Sequence, residues 1–203
     1  DDINALIVVL IEQYDIQWLF FRLSIGLRRA VECALYIQRV SDAQIIWDPV
    51  MLSSSGYDFY QGINTSLLDQ LLENIYLATP NWDEMKRWQE GKTPTATAAK
   101  LSRITNIFLK GGHNTTAKAT DYLFKKGGKI HKLDADCLSE NLKHGSGCVL
   151  ATAITSNLAK GLTLADACEN AKNYTYQILE STSLVLGYHH LSTNATANPL
   201  SME

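Results

Sequence analysis

The chain has 203 residues, 46% of them hydrophobic and 19% charged, and its 18 basic and 21 acidic side chains give a net charge of −3. This composition is ordinary for one globular domain and excludes disordered, collagen-like and coiled-coil classes. There is no basic tract, so we expect no nucleic-acid partner. The longest apolar stretch, Ala5 to Ile11, is far shorter than the roughly 20 residues that span a bilayer. The four cysteines form no Cys-x-x-Cys pair, so we expect a protein of the reducing cytoplasm with no membrane partner.

In the first half of the chain, apolar runs alternate with helical patterns. Apolar residues at helical spacing predict a helix over Leu27–Gln38. The run Ala43–Trp47 that follows is predicted to be a buried strand, because a helix cannot continue into Pro49. Asn64 is expected to cap a second helix whose leucines face the core, and Ile75–Thr79 repeats the strand pattern.

The second half continues the pattern and adds a hairpin. Ile104–Leu109 is a third predicted strand, and Tyr122–Phe124 and Lys129–Leu133 flank two glycines as in an antiparallel hairpin. Two helices are predicted to follow, one starting near Ser146 and one capped by Thr163. Alternating strands and helices predict an α/β fold. We expect a single domain with a doubly wound, mostly parallel sheet and helices on both faces.

Polar residues follow three of the predicted strands. Asp48, Thr79–Asn81 and Lys110–Gly112 each come where a strand ends. Ligands of parallel sheets collect at the carboxyl ends of the strands, so we expect these residues to line one edge.

Each of these groups has two interpretations. Asp48 is either close to a hydrated magnesium ion and phosphates or a helix-capping or turn aspartate. Lys110 either reaches a phosphate or is solvated. Asn81 and Glu84 have a spacing that suits magnesium, usually held through water, but the same spacing forms an ordinary helix cap.

The segment His144-Gly145-Ser146-Gly147-Cys148 precedes an apolar helix. Glycines let the backbone approach a ligand closely, and the first-turn amides of a helix lack internal partners and carry the positive end of its dipole. This pattern predicts a phosphate site. A first-turn cysteine is expected to have a lowered pKa, which suits it to accept a proton or to attack. The alternative is a plain glycine-rich turn before a buried cysteine.

The order of these motifs is itself informative. Four segments follow one another along the chain: Asp48–Met51 with Ser53–Gly56, Thr79–Glu84, Lys110–His113 and His144–Cys148. In this order the chain resembles the hydroxymethylpyrimidine/phosphomethylpyrimidine kinases of thiamine biosynthesis, within the ribokinase-like superfamily. The resemblance extends over roughly Gly26 to His190.

The resemblance implies a kinase that binds ATP and Mg²⁺ and phosphorylates a hydroxymethyl group. Gly145, Ser146 and Gly147 would form the anion hole over the transferring phosphate. Cys148 would stand where most of the superfamily has an aspartate and would remove the proton from the substrate hydroxyl.

The same resemblance implies the nucleotide and metal contacts. Asp48 would lie near magnesium and the phosphates, Asn81 and Glu84 would organise the metal-bound water, and Lys110, with Gly112 beside it, would contact the nucleotide. Pyridoxal and pyridoxine kinases share a similar turn before the cysteine, so the acceptor stays open between the pyrimidine and the vitamin. A non-catalytic nucleotide-binding relative is a further alternative, and a structural module would bind no nucleotide.

One family segment has no counterpart. Family members begin with a strand and a glycine-rich stretch, roughly Ser-Gly-Gly-x-Gly-Ile-Gln-Ala-Asp, that helps to form the acceptor pocket, and nothing here matches it. We therefore expect the N-terminal strands and the acceptor-binding portion to be missing. Three explanations stay open: a portion of a longer kinase, a short relative that borrows its acceptor site from a partner, or a protein that has lost catalysis. An exposed sheet edge would favour a homodimer.

Overall fold

The structure is a computed structural model that describes residues 15–22, 26–52, 57–60, 62–88, 92–112, 120–134 and 145–181. The strands within these ranges are β1 (Trp18–Phe21), β2 (Gln44–Trp47), β3 (Leu77–Ala78), β4 (Asn106–Leu109), β5 (Asp121–Phe124) and β6 (Ile130–Leu133). The helices are α1 (Leu27–Val40), α2 (Thr65–Glu73), α3 (Trp82–Trp88), α4 (Pro94–Leu101), α5 (Ser146–Ala159) and α6 (Leu164–Glu180).

The six strands form one sheet in the order β1-β2-β3-β4-β5-β6. Strands β1 to β4 pair in parallel, with Trp18 beside Gln44 and Ile46 beside Leu77. Strands β5 and β6 are antiparallel to their neighbours and form the predicted hairpin. The sheet is therefore mostly parallel, as the sequence predicts.

Two hydrophobic cores cover the two faces of the sheet. Side chains alternate between the faces along a strand, and β2 shows this directly: Ile45 and Trp47 enter one core and Ile46 the other. Helices α1 to α4 pack on the first face, and α5 and α6 pack on the second. The expected arrangement of helices on both faces is confirmed.

Most predicted elements are present, and three others were not predicted. The helix starts at Asn64 and Thr163 are confirmed, because each side chain accepts a backbone N–H of its first turn. Strand β1, α3 and α4 are additional. Helix α4 has a readable signal, Thr93 as N-cap before Pro94, whereas β1 becomes a strand only by pairing with β2.

Backbone hydrogen bonds bring the carboxyl ends of the parallel strands together. The amide of Asp48 donates to the carbonyl of Phe21 at 2.8 Å, Thr79 to Trp47 at 2.9 Å, and Lys110 to Pro80 at 2.9 Å. The three predicted strand-end segments therefore lie at one edge.

In the part of the chain described, no helix combines the length and apolarity that crossing a membrane requires.

Gly111 allows the chain to leave β4 and pass close to β5. A Cβ atom placed on Gly111 would lie 1.8 Å from the carbonyl oxygen of Thr120. Gly112 is exposed, and a Cβ there meets no described atom within 4 Å. Only the first of the two glycines is therefore required by packing.

Substituting these two glycines should separate their roles. Gly111→Ala forces the backbone of two strands apart, and we expect it to lower the free energy of unfolding by about 3 kcal/mol or more. Gly112→Ala is the matched control and should change it by less than about 1 kcal/mol. Urea denaturation followed by circular dichroism measures both. Equal losses in the two variants would contradict this account of the turn.

Candidate active site

A buried ion pair lies at the carboxyl edge of the sheet. Lys110 Nζ is 2.7 Å from Asp48 Oδ1, and the Thr79 hydroxyl donates to the same oxygen at 3.1 Å. The Lys110 side chain is 13% exposed and that of Asp48 is 2% exposed. Each of these residues follows the end of a strand, so the sheet itself brings them together.

The Lys110 ammonium carries a firm positive charge. Burial acts to lower its pKa, but the negative charges of Asp48 and Glu84 and the hydrogen bond to Asp48 together outweigh burial and raise the pKa above the usual lysine value. The side chain is therefore protonated at neutral pH. A fixed cation that is largely shielded from water is suited to bind phosphate oxygens.

The N-terminus of α5 lies directly beside this ion pair. Gly145 is its N-cap residue, with φ 84° and ψ 1°, a left-handed conformation that favours glycine. The first helical hydrogen bond runs from the Val149 amide to the Gly145 carbonyl at 3.0 Å. The amides of Ser146, Gly147 and Cys148 precede it and lack intrahelical partners.

Gly147 is the residue at which the helix lies against the pair. A Cβ on Gly147 would lie 3.4 Å from Lys110 Nζ and 3.9 Å from Asp48 Oδ2. The positive end of the helix dipole and the lysine cation therefore face the same small volume. The structure thus brings together residues from all four sequence motifs: Asp48, Thr79, Lys110 and Gly147. His144, Ser53–Gly56 and His113 lie outside the described residues.

Cys148 occupies the third position of α5 and is half-buried. Burial raises the pKa of its thiol, Asp48 raises it further, and the positive charges of Arg22 and Lys110 oppose them without reversing the shift. The sequence-based expectation of a lowered pKa is therefore wrong in this structure, because desolvation of the thiolate outweighs the nearby cations. Cys148 also lines a cleft of about 640 Å³ along α5 and α6.

Asn81 and Glu84 form a helix cap at the start of α3. Asn81 Oδ1 accepts the amide of Glu84 at 2.8 Å, and Glu84 Oε2 accepts the amide of Asn81 at 2.6 Å. This is the reciprocal capping box that the sequence offered as one of two interpretations. Residue Glu84 is only 8% exposed, and the charge of its carboxylate raises the pKa of both Lys110 and Tyr60. Capping therefore places a second carboxylate near the ion pair.

The donor set fits a hydrated magnesium ion and not a metal enclosed by protein. The described residues contain no group of three or more His, Cys, Asp or Glu side chains arranged to hold a metal. Asp48 and Glu84 supply hard carboxylate oxygens, which suit magnesium, an ion that keeps several waters and takes one or two carboxylates.

Three residues near the site escaped the sequence analysis. Tyr60 is buried, and its pKa is raised by burial and by the charge of Glu84. Arg22 follows the unpredicted strand β1 and acts on Cys148 through its charge. Asp121 accepts the Gly111 amide at 2.7 Å. Only Asp121 had a readable signal, a carboxylate at the start of a predicted strand.

Comparison with known proteins matches this chain to one family. Residues 25–194 match the phosphomethylpyrimidine kinase family. A hydroxymethylpyrimidine/phosphomethylpyrimidine kinase of Staphylococcus aureus (strain MRSA252) is 31% identical over 158 residues, covering 72% of this chain and 56% of that protein. A Treponema pallidum protein provisionally named a pyridoxine kinase is 30% identical over 156 residues, covering 71% of this chain and 58% of that protein. The chain thus spans less than two thirds of either relative.

A solved structure shows the same fold. The pyridoxal kinase of Bacillus subtilis, solved as an ADP complex, superposes with a TM-score of 0.72 at 23% identity, covering 89% of this chain and 70% of that one. The fold is thus the ribokinase-like α/β fold.

Removing the Lys110 cation tests how much the buried pair matters for the free energy of unfolding. Lys110→Met leaves the Asp48 carboxylate buried without its cation, and we expect a loss of roughly 3–5 kcal/mol in the free energy of unfolding. In Asp48→Asn/Lys110→Met the loss should be well below the sum of the single losses, because the two groups interact directly. Lys86→Met removes an exposed ion pair with Asp83 and should cost less than about 1 kcal/mol. Urea denaturation compares these three variants with the single variant Asp48→Asn, and additive losses would rule out the coupling.

The raised pKa of Cys148 should appear in its alkylation rate. Because the thiolate is the reacting form, iodoacetamide should modify Cys148 more slowly at neutral pH than it modifies N-acetylcysteine. The midpoint of the rate against pH should lie above that of the free thiol. Mass spectrometry of the Cys148 peptide follows the reaction, with Cys148→Ala as the blank. A midpoint below that of N-acetylcysteine would restore the sequence-based expectation.

Proposed function

The chain belongs to the phosphomethylpyrimidine kinase family, and we propose that it transfers the γ-phosphate of ATP to 4-amino-5-hydroxymethyl-2-methylpyrimidine or to its monophosphate. One observation carries the proposal beyond family membership. A buried lysine cation and the glycine-walled N-terminus of a helix face the same volume, with Lys110 Nζ 3.4 Å from the position of a Cβ on Gly147.

The first task of these groups is to bind and orient phosphate. Lys110 attracts the phosphate oxygens of the nucleotide, and the amides of Ser146 and Gly147 donate to the oxygens of the transferring group. Charge spreads over those oxygens in the transition state, so fixed donors stabilise it without reorganising. Asn81 follows β3 and Gly112 follows β4, so both lie at the sheet edge that carries Lys110. They complete the proposed nucleotide contacts.

Cys148 is the proposed base for the substrate hydroxyl. It lies in the first turn of α5, next to the amides that would hold the transferring phosphate. A thiol with a raised pKa is a stronger proton acceptor once ionised, although less of it is ionised at neutral pH. The charges of Arg22 and Lys110 favour the thiolate and partly offset the effect of burial.

Asp48 and Glu84 are the proposed holders of a hydrated magnesium ion. When bound, the ion would neutralise negative charge on the nucleotide phosphates. Asp48 keeps the ion pair with Lys110, and the cap at Asn81 fixes Glu84.

The acceptor has an alternative with an observation in its favour. The named relatives include a Treponema protein with a pyridoxine kinase name and a Bacillus pyridoxal kinase structure, which favour a vitamin alcohol as acceptor. A nucleotide-binding protein without turnover is the other alternative. Strand β1 is apolar and stands at the edge of the described sheet, so we propose a cytoplasmic homodimer.

ADP release from ATP and magnesium tests the proposal directly. The acceptor panel contains the hydroxymethylpyrimidine, its monophosphate, pyridoxal and pyridoxine, and we expect turnover with a pyrimidine. Cys148→Ala should lower turnover by roughly 10²–10⁴-fold, the range for one acid–base group, with ATP affinity close to wild type. Cys33→Ala is the matched control, because Cys33 is buried in α1, and its turnover per folded molecule should be unchanged.

The possible outcomes separate the alternatives. Turnover confined to pyridoxal or pyridoxine would assign the vitamin as acceptor. ATP binding without turnover on any acceptor would favour the nucleotide-binding protein. Absence of ATP binding, measured by calorimetry, would overturn the proposal.

A further inference from the structure

A second buried ion pair lies behind the phosphate site. Lys172, in the middle of α6, has its Nζ 2.9 Å from Asp121 Oδ2 and donates to the carbonyl of Leu133 at 2.7 Å. The side chains of Asp121 and Lys172 are 12% and 13% exposed. The pair therefore joins α6 to both strands of the β5–β6 hairpin.

The other oxygen of the same carboxylate reaches the phosphate site. Asp121 Oδ1 accepts the amide of Gly111 at 2.7 Å. Gly111 directly follows Lys110, whose ammonium pairs with Asp48. One carboxylate thus bridges the lysine of the last described helix and the backbone of the Lys110–Gly112 turn.

Loss of this bridge is unfavourable in free energy because the Asp121 carboxylate is buried. Burial raises the pKa of Asp121, while Lys172 and the Gly111 amide act to lower it. A buried carboxylate needs such partners to remain ionised. Gly111 also has no room to move toward β5, since its backbone already lies against Thr120.

Helix α6 also supports α5, whose N-terminus is the other part of the phosphate site. Its Ala167 and Ala171 lie in the same core as Ile154 and Leu158 of α5. The helix whose N-terminus faces the phosphates and the turn that carries Lys110 are therefore both fixed relative to α6.

We propose that Asp121 and Lys172 are a positioning pair that holds the Lys110–Gly112 turn for the nucleotide, so that nucleotide affinity depends on α6. The inference rests on the proposed function, because it requires ATP at this turn. Asp121 acts through the Gly111 amide and Lys172 acts through Asp121; neither touches the transferring phosphate.

The test compares the Michaelis constant for ATP with the turnover number. In Asp121→Ala the Gly111 amide loses its acceptor, and we expect the KM for ATP to rise about tenfold, the equivalent of one hydrogen bond to a charged group. Turnover at saturating ATP should stay within about threefold of wild type, because the groups around the transferring phosphate are unchanged. A loss of folded protein alone would lower turnover and leave KM as it is.

A double variant keeps the test valid if a single variant folds poorly. Asp121→Ala/Lys172→Met removes both buried charges and should show the same KM as Asp121→Ala, because it is through Asp121 that Lys172 acts on the Lys110–Gly112 turn. Lys132→Met is the matched control, since its ion pair with Asp134 on the same hairpin is exposed, and it should leave KM unchanged. Hydrogen exchange of the peptide that contains Gly111 should be faster in the double variant than in wild type.

The outcomes distinguish this inference from the proposed function. If wild type binds ATP and the folded double variant binds it equally well by calorimetry, the positioning role is overturned and the proposed function stands. If wild type binds no ATP, the proposed function is overturned, and the positioning role with it.

Discussion

The structure depends on a buried cation at the carboxyl edge of a parallel sheet. Lys110 and Asp48 come from strands that are not neighbours, and Thr79, which follows the strand between them, donates to the same carboxylate oxygen. A buried pair of this kind is stable only with good geometry and further hydrogen bonds. The backbone around the pair supplies both the geometry and the hydrogen bonds. This requirement limits the conformations of the turns that follow the strands.

Two glycines meet that constraint in different ways. Gly147 lets the N-terminus of α5 come within contact of the pair, and Gly111 lets the chain leave β4 against the backbone of Thr120. A Cβ at the first position would lie in ordinary van der Waals contact with the lysine ammonium. At the second it would displace the lysine itself. The two positions thus hold a helix dipole and an ammonium group in one small volume.

Burial favours the uncharged form of both reactive groups, but only the lysine has enough opposite charge nearby to remain ionised. Lys110 has carboxylates close by, and their charges keep its pKa above the usual value. Cys148 lies at the same edge, but Arg22 and Lys110 do not compensate for the loss of solvent, and its pKa is raised. Helix position alone therefore does not decide whether a thiol is ionised; the balance of desolvation and charge does.

The sequence by itself determined most of the strand–helix order, the hairpin and the strand-end positions of Asp48, Asn81 and Lys110, because hydrophobic periodicity, proline stops and helix caps are local signals. Both interpretations of the Asn81–Glu84 spacing were also readable locally, and the structure shows the cap. Only the tertiary structure decided that β1 is a strand, that Glu84 lies near Lys110, and that Asp121 joins Gly111 to Lys172. These features arise from contacts between residues far apart in the chain. Their free energies depend on burial, which no local pattern of residues specifies.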